Sequence, residues 1–336
     1  MANRKPLVVS LGKPQYIDAE YLGKFSQSFD FFVLDAYDHD TTRKKLPEFV
    51  KNHGPIDAFI IRMGTMPYEP FSAELFAPLV PGCKIVTSAS AGFNEFDTKW
   101  MTRNGIWFCN TVDAVAEPTA DMALFLTLAV VRNATNGEKS ARLGHWRGQL
   151  VPTKDPSGLT LGIVGMGSIG KYLARKAAVF NMKIVYTKRS RLPVHEEEKY
   201  AATYYESLHE MLAVSDVVSL NCPLNDDTRG LIGPKEFAAM KDGAFLVNTA
   251  RGLVVDEKSL IDALESGKIA RAGLDVFDGE PNINPYFRQS DRVVIQPHLG
   301  GLTDVAFQRA ERECFENIRA YFEKGVPNSP VNTVER

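Results

Sequence analysis

Residues 159–191 read LTLGIVGMGSIGKYLARKAAVFNMKIVYTKRSR, and this stretch decides the fold of its region. An apolar run over 159–164 leads into a turn with glycines at 165, 167 and 170. A helical pattern and a second apolar run, 182–186, follow. Strand, glycine turn, helix and strand in this order are the context in which G-x-G-x-x-G predicts dinucleotide binding. The glycine pattern alone would be weak, because glycine turns occur in many folds.

The three glycines have separate roles in such a turn. Gly165 permits the tight turn, Gly167 lets backbone N–H groups approach a pyrophosphate, and Gly170 lets the helix pack closely on the strand. The phosphates then lie at the N-terminus of the helix, where unpaired N–H groups and the helix dipole favour negative charge. We therefore predict that Gly165, Gly167, Ser168, Ile169 and Gly170 bind the cofactor.

Basic residues follow the second apolar run, at Lys188, Arg189 and Arg191. A site that prefers NAD carries an acid here for the ribose 2′-hydroxyl. A phosphate fits a basic cluster better than a hydroxyl does, so the sequence predicts that NADPH/NADP⁺ is preferred over NADH/NAD⁺. The alternative is a solvated loop of positive side chains. The acidic run EEEK at 196–199 is interpreted as a solvated face.

Length, net charge and cysteine content limit the class of protein to which the chain can belong. The chain has 336 residues, enough for two domains, and a net charge of −2, which gives no reason to expect nucleic acid or an anionic membrane as partner. No segment approaches the roughly 20 apolar residues of a membrane span. Four widely spaced cysteines without a C-x-x-C predict no metal site and suggest core residues in a reducing compartment. With no secretory or peroxisomal signal recognised, the expected location is cytoplasmic.

Apolar runs alternate with helical patterns along most of the chain, which predicts open parallel sheets of the α/β class. A broadly apolar helix is predicted over 117–132, and its composition suggests packing between domains or subunits. An amphipathic helix is predicted over 304–324. The remaining strand candidates are 7–11, 31–36, 58–62, 84–89, 107–110, 216–220, 244–248, 272–276 and 293–296.

Three polar groups follow three of the late strands: Arg251, Glu280 and His298. The carboxyl ends of parallel strands border the ligand crevice, so these side chains could converge beside the dinucleotide. A guanidinium matches a substrate carboxylate with two hydrogen bonds. An imidazole changes charge near neutral pH and can supply a proton to a carbonyl oxygen while the carboxylate orients it. Each residue also has a structural interpretation: a strand cap, a turn residue and a satisfied histidine.

With these residues in place, the chain resembles the D-isomer-specific 2-hydroxyacid dehydrogenases. The matching segments cover nearly the whole chain in the family's order: SAGFNEFD (90–97), CNTVDAVAEPTAD (109–121), GIVGMGSIGK (162–171), NCPLNDDTRGLI (221–232), LVNTARGLVVDEKSLIDALESGKIARAGLDVFDGEP (246–281) and VVIQPHLGG (293–301). The resemblance implies that Arg251 binds substrate, that His298 exchanges the proton, and that Glu280 partners the histidine. It further implies cofactor contacts from Thr119, Cys222, Pro223, Thr228, Thr249, Ala250, Asp275 and Gly300.

The resemblance also implies the domain organisation. We expect two doubly wound parallel-sheet lobes with a cleft between them. A flavodoxin-like substrate lobe would comprise 1–111 and 302–336, and a Rossmann cofactor lobe 112–301. The apolar pattern alone would have divided the chain once, near residue 150. Family members dimerise through the long helix after Glu117 and the arm around Trp146, so a homodimer is expected.

Within the family, the basic cluster is most similar to that of glyoxylate/hydroxypyruvate reductases. The expected reaction is NADPH-dependent reduction of small 2-oxo acids, glyoxylate to glycolate and hydroxypyruvate to D-glycerate. Met63 and Gly64, in the loop after the third strand, are expected to bind substrate. Because Met63 is flexible and apolar, a broader enzyme for aromatic or branched 2-oxo acids, similar to mandelate dehydrogenase, stays open. A dinucleotide-sensing corepressor shares this fold and trio and is the alternative from another class.

Overall fold

The computed structural model describes residues 4–111 and 113–335. The chain divides into two compact units. A discontinuous unit comprises Met1–Val115 with Thr303–Arg336, and a continuous unit comprises Ala116–Leu302. The lobe boundaries predicted from the sequence lie within four residues of this division. Three of the predicted end positions, residues 1, 112 and 336, lie outside the described residues.

The discontinuous unit contains a parallel sheet of five strands in the order β2-β1-β3-β4-β5. This is the flavodoxin order. Its strands are β1 Leu7–Leu11, β2 Asp30–Leu34, β3 Ala58–Ile61, β4 Ile85–Ser88 and β5 Trp107–Cys109. Its helices before residue 116 are α1 Ala19–Phe25, α2 His39–His53, α3 Ala73–Phe76 and α4 Thr98–Arg103, with 3₁₀ turns at Met66–Tyr68 and Ala77–Leu79.

The continuous unit contains a parallel sheet of seven strands in the order β12-β11-β10-β9-β6-β7-β8. Counted from β6, this is the Rossmann order extended by one strand. Its strands are β6 Thr160–Val164, β7 Lys183–Thr187, β8 Ala202–Tyr204, β9 Val217–Leu220, β10 Ala244–Asn248, β11 Ile269–Leu274 and β12 Val293–Ile295. Its helices are α5 Ala116–Val131, α6 Ala134–Arg142, α7 Ser168–Ala178, α8 Val194–Tyr200, α9 Leu208–Val214, α10 Pro234–Ala239, α11 Glu257–Glu265 and α12 Pro285–Gln289, with a 3₁₀ turn at Gly252–Val254. The last helix of the chain, α13 Asp304–Lys324, belongs to the discontinuous unit.

Strands that are buried on both faces explain the continuous apolar runs of the sequence. All five residues of β10 are buried, and its successive side chains belong to two different apolar clusters. Leu246 packs in one cluster, whereas Phe245 and Val247 pack in the other. Helices cover both faces of such a sheet, so hydrophobic residues do not alternate with polar ones. The predicted α/β class with two doubly wound parallel sheets is confirmed.

The predicted strands match the observed ones within about two residues, apart from two differences. The strand β8 was not predicted; it is only three residues long and lies at a sheet edge. The predicted start of β11 was Ala272, whereas the strand begins at Ile269. Arg271 interrupts the apolar run, yet its Nε donates a hydrogen bond to the Val130 carbonyl (2.6 Å), which accommodates the charge within the sheet.

The broadly apolar helix α5 packs within the continuous unit, against α7 and the strands β10 and β11. Nine of its sixteen residues are buried, which accounts for the absence of a wide polar face. Along the described parts of the chain, no helix combines the length and apolarity that crossing a membrane requires.

Candidate active site

Three neighbouring strands of the continuous unit end at one edge of its sheet. β10, β11 and β12 are paired in parallel, so their carboxyl ends lie side by side. Arg251 follows the end of β10 by three residues, Asp275 directly follows β11, and His298 follows β12 by three residues. The topology therefore brings together the polar residues that are separate in the sequence.

His298 and Glu280 form a direct contact. The histidine Nδ1 lies 2.8 Å from Glu280 Oε2, and Glu280 Oε1 accepts a hydrogen bond from the Phe277 N–H at 2.7 Å. Burial by itself would raise the pKa of Glu280. The net effect is a lowered pKa, because burial is outweighed by the hydrogen bonds from His298 and Phe277 and by the charge of Arg251. An ionised carboxylate only accepts, so Nδ1 carries the proton of this contact. Nε2 takes no part in this contact, and the His298 side chain is 43% exposed.

Asp275 fixes the backbone on which His298 stands. Its Oδ1 and Oδ2 accept hydrogen bonds from the N–H groups of Leu299 (2.7 Å) and Gly300 (2.8 Å). The His298 N–H donates to the Asp275 carbonyl at 2.8 Å. Burial raises the pKa of Asp275 despite these bonds. His298 itself has φ of +58°, an unusual conformation for a residue other than glycine, and three hydrogen bonds around it hold this turn.

Arg251 is half-buried and belongs to a turn that Asn248 organises. Asn248 Oδ1 accepts from the Ala250 N–H (3.0 Å), and its Nδ2 donates to the Arg251 carbonyl (2.9 Å). Arg251 Nη1 donates to the Ala250 carbonyl at 2.7 Å. Sequence reasoning missed Asn248, although a polar residue closing an apolar strand was a usable signal.

Gly252 is a second residue that sequence reasoning missed. A Cβ at this position would lie 1.9 Å from the carbonyl carbon of Phe277 and 2.3 Å from the amide nitrogen of Asp278. The backbone that follows β10 therefore touches the backbone that leads to Glu280. This contact requires glycine and ties the segment of Arg251 to that of Glu280.

The glycine turn has the geometry expected from its sequence. Gly165 has φ of +96°, and a Cβ there would lie 2.8 Å from the Cys222 amide nitrogen. A Cβ at Gly170 would lie 2.6 Å from the Gly165 carbonyl oxygen. At Gly167, by contrast, no described heavy atom outside the adjoining backbone lies within 4 Å of that position. The turn thus packs tightly at its first and third glycines and leaves space at the second, directly before Ser168 and Ile169 in the first turn of α7.

Further residues along this edge fit a dinucleotide. The buried hydroxyl of Thr249 and the buried Oδ1 of Asn221 lack a hydrogen-bond partner among the described residues, which suits groups that await a ligand. Ala250 is buried beside Thr249. These observations, with the open second glycine, show that the residues present fit the cofactor.

The other predicted cofactor residues lie in two groups. A Cβ at Gly300 would lie 3.0 Å from Asp275 Oδ2 and 3.2 Å from Thr119 Cγ2, so these three residues adjoin. Near the first glycine, burial raises the pKa of the Cys222 thiol to about 11. The Thr228 hydroxyl donates to the Pro223 carbonyl at 2.6 Å, which closes the loop after β9.

The three basic residues after β7 differ in their surroundings. Within residues 4–111 and 113–335, no carboxylate lies within ion-pair distance of Lys188 or Arg189. Arg191, in contrast, makes two hydrogen bonds to Glu197, from Nε to Oε1 (2.9 Å) and from Nη2 to Oε2 (2.8 Å). Lys188 and Arg189 therefore carry the uncompensated positive charge of this loop.

The interpretation of residues 196–199 as a solvated face is wrong for two of its four residues. Glu197 is only 8% exposed because it faces Arg191 and the buried Tyr186, whose hydroxyl donates to Oε1 at 2.6 Å. Glu196 is half-buried and pairs with Lys171. Only Glu198 and Lys199 are exposed. The run of like charges gave no indication of these partners. Tyr186 lies on β7, Arg191 in the loop that follows it, and Lys171 on α7.

Of the predicted substrate residues, Arg251 and His298 belong to the continuous unit, whereas Met63 and Gly64 belong to the discontinuous unit. Met63 is half-buried and packs against an apolar cluster that includes Ile60 and Phe315. Gly64 is exposed, with φ of +88°. The backbone after β3 therefore turns sharply at a position that favours glycine.

Comparison with known proteins agrees with this architecture. Residues 124–300 match the model of the D-isomer specific 2-hydroxyacid dehydrogenase NAD binding domain. The chain is 58% identical to dehydrogenase efuE of Hormonema carpetanum over 98% of this chain and 82% of that protein. It is 43% identical to 4-methyl-2-oxopentanoate reductase A of Aspergillus oryzae over 76% and 77% of the two chains.

Solved structures with the same fold cover nearly the whole chain. A glyoxylate reductase from Paecilomyes thermophila has 36% identity and a TM-score of 0.90, covering 97% of this chain and 98% of that one. The holo form of Rhodotorula graminis D-mandelate dehydrogenase has 32% identity and a TM-score of 0.90, covering 98% and 99%. The fold and the site define an NAD(P)-dependent oxidoreductase. The chain belongs to the D-isomer-specific 2-hydroxyacid dehydrogenase family.

Proposed function

We propose that this protein reduces small 2-oxo acids, glyoxylate and hydroxypyruvate, to the corresponding 2-hydroxy acids, and that it uses NADPH in preference to NADH. The proposed site residues are those predicted from the sequence, with Arg251, Glu280 and His298 at its catalytic end. The observation that carries the reduction is the 2.8 Å contact of His298 Nδ1 with Glu280, because it leaves Nε2 to deliver a proton.

The proton transfer follows from this geometry. A nicotinamide cofactor bound at the glycine turn and along Thr249 and Ala250 would supply the hydride that the carbonyl carbon of the substrate accepts. Protonated His298 gives the proton on Nε2 to the carbonyl oxygen and becomes neutral, while Nδ1–H stays on Glu280. The negative charge of Glu280 stabilises the protonated ring before the transfer, and solvent returns the proton afterwards.

Arg251 is the proposed binding group for the substrate carboxylate. A guanidinium offers two parallel N–H donors to the two carboxylate oxygens, which orients the adjacent carbonyl group. Asn248 and the close contact at Gly252 hold the backbone of Arg251 and thereby limit the positions that its side chain reaches.

The preference for NADPH is supported by Lys188 and Arg189. Both follow β7, where the ribose of the adenosine half lies in Rossmann units, and neither is neutralised by a described carboxylate. Each charge-assisted hydrogen bond to a 2′-phosphate contributes about 1.5–3 kcal/mol. One such bond corresponds to roughly tenfold or more in cofactor preference.

The test of the substrate proposal is initial-rate kinetics with NADPH over a panel of 2-oxo acids. We expect the highest kcat/KM values for glyoxylate and hydroxypyruvate, as the similarity to a glyoxylate reductase suggests. If phenylglyoxylate or 4-methyl-2-oxopentanoate is reduced far faster than both, the proposed substrate class is wrong.

That outcome would favour a second candidate, a dehydrogenase for aromatic or branched 2-oxo acids. The similarity to 4-methyl-2-oxopentanoate reductase A and to D-mandelate dehydrogenase supports it. So does the apolar side chain of Met63, since a thioether adapts to a large apolar group.

We further propose that the protein is a homodimer. Large apolar side chains are exposed on α5 and the arm that follows α6: Phe125 (52%), Leu143 (60%), Trp146 (76%) and Val151 (73%). Large apolar side chains that stay exposed to water favour association with a second copy of the chain. Light scattering during size-exclusion chromatography should give twice the chain mass of 37.3 kDa, whereas a monomer at micromolar concentration would contradict the proposal.

A further inference from the structure

A network of hydrogen bonds fixes the loop 188–192, which follows β7. The Tyr204 hydroxyl donates to the Lys188 carbonyl at 3.3 Å. At the other end of the loop, the Tyr186 hydroxyl accepts from the Leu192 N–H at 3.0 Å. Both tyrosines stand on strands, so the basic loop is attached to the sheet at its first and last residues.

Glu197 is the centre of this network. Its Oε1 accepts from Tyr186 (2.6 Å) and from Arg191 Nε (2.9 Å), and its Oε2 accepts from Arg191 Nη2 (2.8 Å). The Arg191 side chain nevertheless stays 60% exposed, whereas that of Glu197 is only 9% exposed. Two parallel bonds define the plane and direction of a guanidinium. Arg191 also lies over the ring of Tyr204, at 5.6 Å from its centroid.

We propose that Glu197 is a positioning residue for cofactor selection, which holds Arg191 and the loop of Lys188 and Arg189 in the arrangement that binds a 2′-phosphate. This inference rests on the proposed preference for NADPH. It assigns selectivity to a carboxylate that lies beneath the loop as well as to the cations on it. An ordered guanidinium loses less conformational entropy when it binds a phosphate than a mobile one does.

The sign of one measurement separates this role from simple electrostatics. Glu197→Gln removes a negative charge close to the loop, and Coulomb's law alone predicts tighter binding of a phosphate. Loss of the two-bond contact instead releases Arg191 and predicts weaker binding. A residue that only supports the fold would change the binding of phosphorylated and unphosphorylated ligands equally.

The experiment is calorimetric titration of the full-length protein with 2′,5′-ADP and with 5′-AMP. We expect Glu197→Gln to weaken 2′,5′-ADP roughly tenfold, the equivalent of one charge-assisted bond, and to leave 5′-AMP within about twofold. Glu198→Gln is the matched control, because Glu198 is an exposed carboxylate on the same helix. It should leave both affinities unchanged.

Tyr186→Phe provides a milder variant if Glu197→Gln does not fold. It removes the hydroxyl that joins Glu197 to Leu192, and we expect a smaller loss in the same direction. Tighter or unchanged binding of 2′,5′-ADP in the folded variant, or equal losses for both ligands, overturns the inference. If the unmodified protein itself does not distinguish 2′,5′-ADP from 5′-AMP, the proposed cofactor preference fails instead.

Discussion

Two regions of the continuous unit share one arrangement, a carboxylate in contact with a basic side chain, but differ in the kind of basic group. At the carboxyl end of β12, Glu280 contacts His298; after β7, Glu197 contacts Arg191. In both, a carboxylate that is mostly buried holds a basic side chain that is partly exposed. The bases differ in their chemistry. Imidazole gains and loses a proton near neutral pH, whereas guanidinium stays charged.

This difference separates catalysis from recognition. A carboxylate beside an imidazole stabilises one of two protonation states and therefore acts on a proton transfer. A carboxylate beside a guanidinium changes no protonation state at neutral pH and acts on position alone. We therefore expect changes at Glu280 and His298 to alter kcat, and changes in the basic loop to alter the choice of cofactor.

The largest effect is expected from His298→Ala. Removal of the proton donor should lower kcat for glyoxylate reduction by roughly 10²- to 10⁴-fold, the usual contribution of general acid catalysis. Binding of NADPH, followed by its fluorescence, should stay within about twofold because the cofactor contacts are proposed elsewhere. Full activity in this variant would remove His298 from the mechanism.

The next largest effect is expected from Glu280→Gln. The amide keeps the shape of the side chain but no longer stabilises the protonated ring, so kcat should fall roughly ten- to hundredfold. Asp278→Asn, a change at an exposed acid in the same segment, is the control and should leave kcat unchanged.

The double change Lys188→Ser and Arg189→Ser tests whether the basic loop selects the cofactor. The ratio of kcat/KM for NADPH to that for NADH should fall about tenfold or more, while kcat with NADH stays unchanged. Lys183→Ser, at the opposite end of the same strand, removes a cation far from the loop and serves as control. A ratio that survives the double change would show that selection occurs elsewhere.

The smallest effect concerns the pH dependence of stability. The contact with Arg191, followed by that with Tyr186, lowers the pKa of Glu197 from its ordinary 4.5 to about 2. A depressed pKa contributes stability that is complete above pH 4.5 and is lost as the pH falls toward 2. The difference in Tm between the unmodified protein and Glu197→Gln should therefore be constant from about pH 8 to 5 and shrink below that range. A difference that already vanishes near pH 6 would contradict the ionised pair.

The sequence predicted what depends on local pattern. β1, β10 and α13 match their predicted bounds, because continuous apolar runs and an amphipathic period are local properties. The glycine turn was predicted together with its reason. The burial of Glu197 was missed, since its partners Tyr186 and Arg191 come from other elements and the EEEK run has the composition of a surface. Gly252 was missed for a similar reason, because only the fold brings Phe277 against it.

We propose that the positive charge after β7 selects the phosphorylated cofactor for a proton-coupled reduction at His298. The most direct measurement is the ratio of kcat/KM for NADPH to that for NADH in the unmodified protein, with glyoxylate as substrate. We predict a ratio of about ten or more, the equivalent of at least one charge-assisted bond to the 2′-phosphate. Equal catalytic efficiency with the two cofactors would contradict the claim.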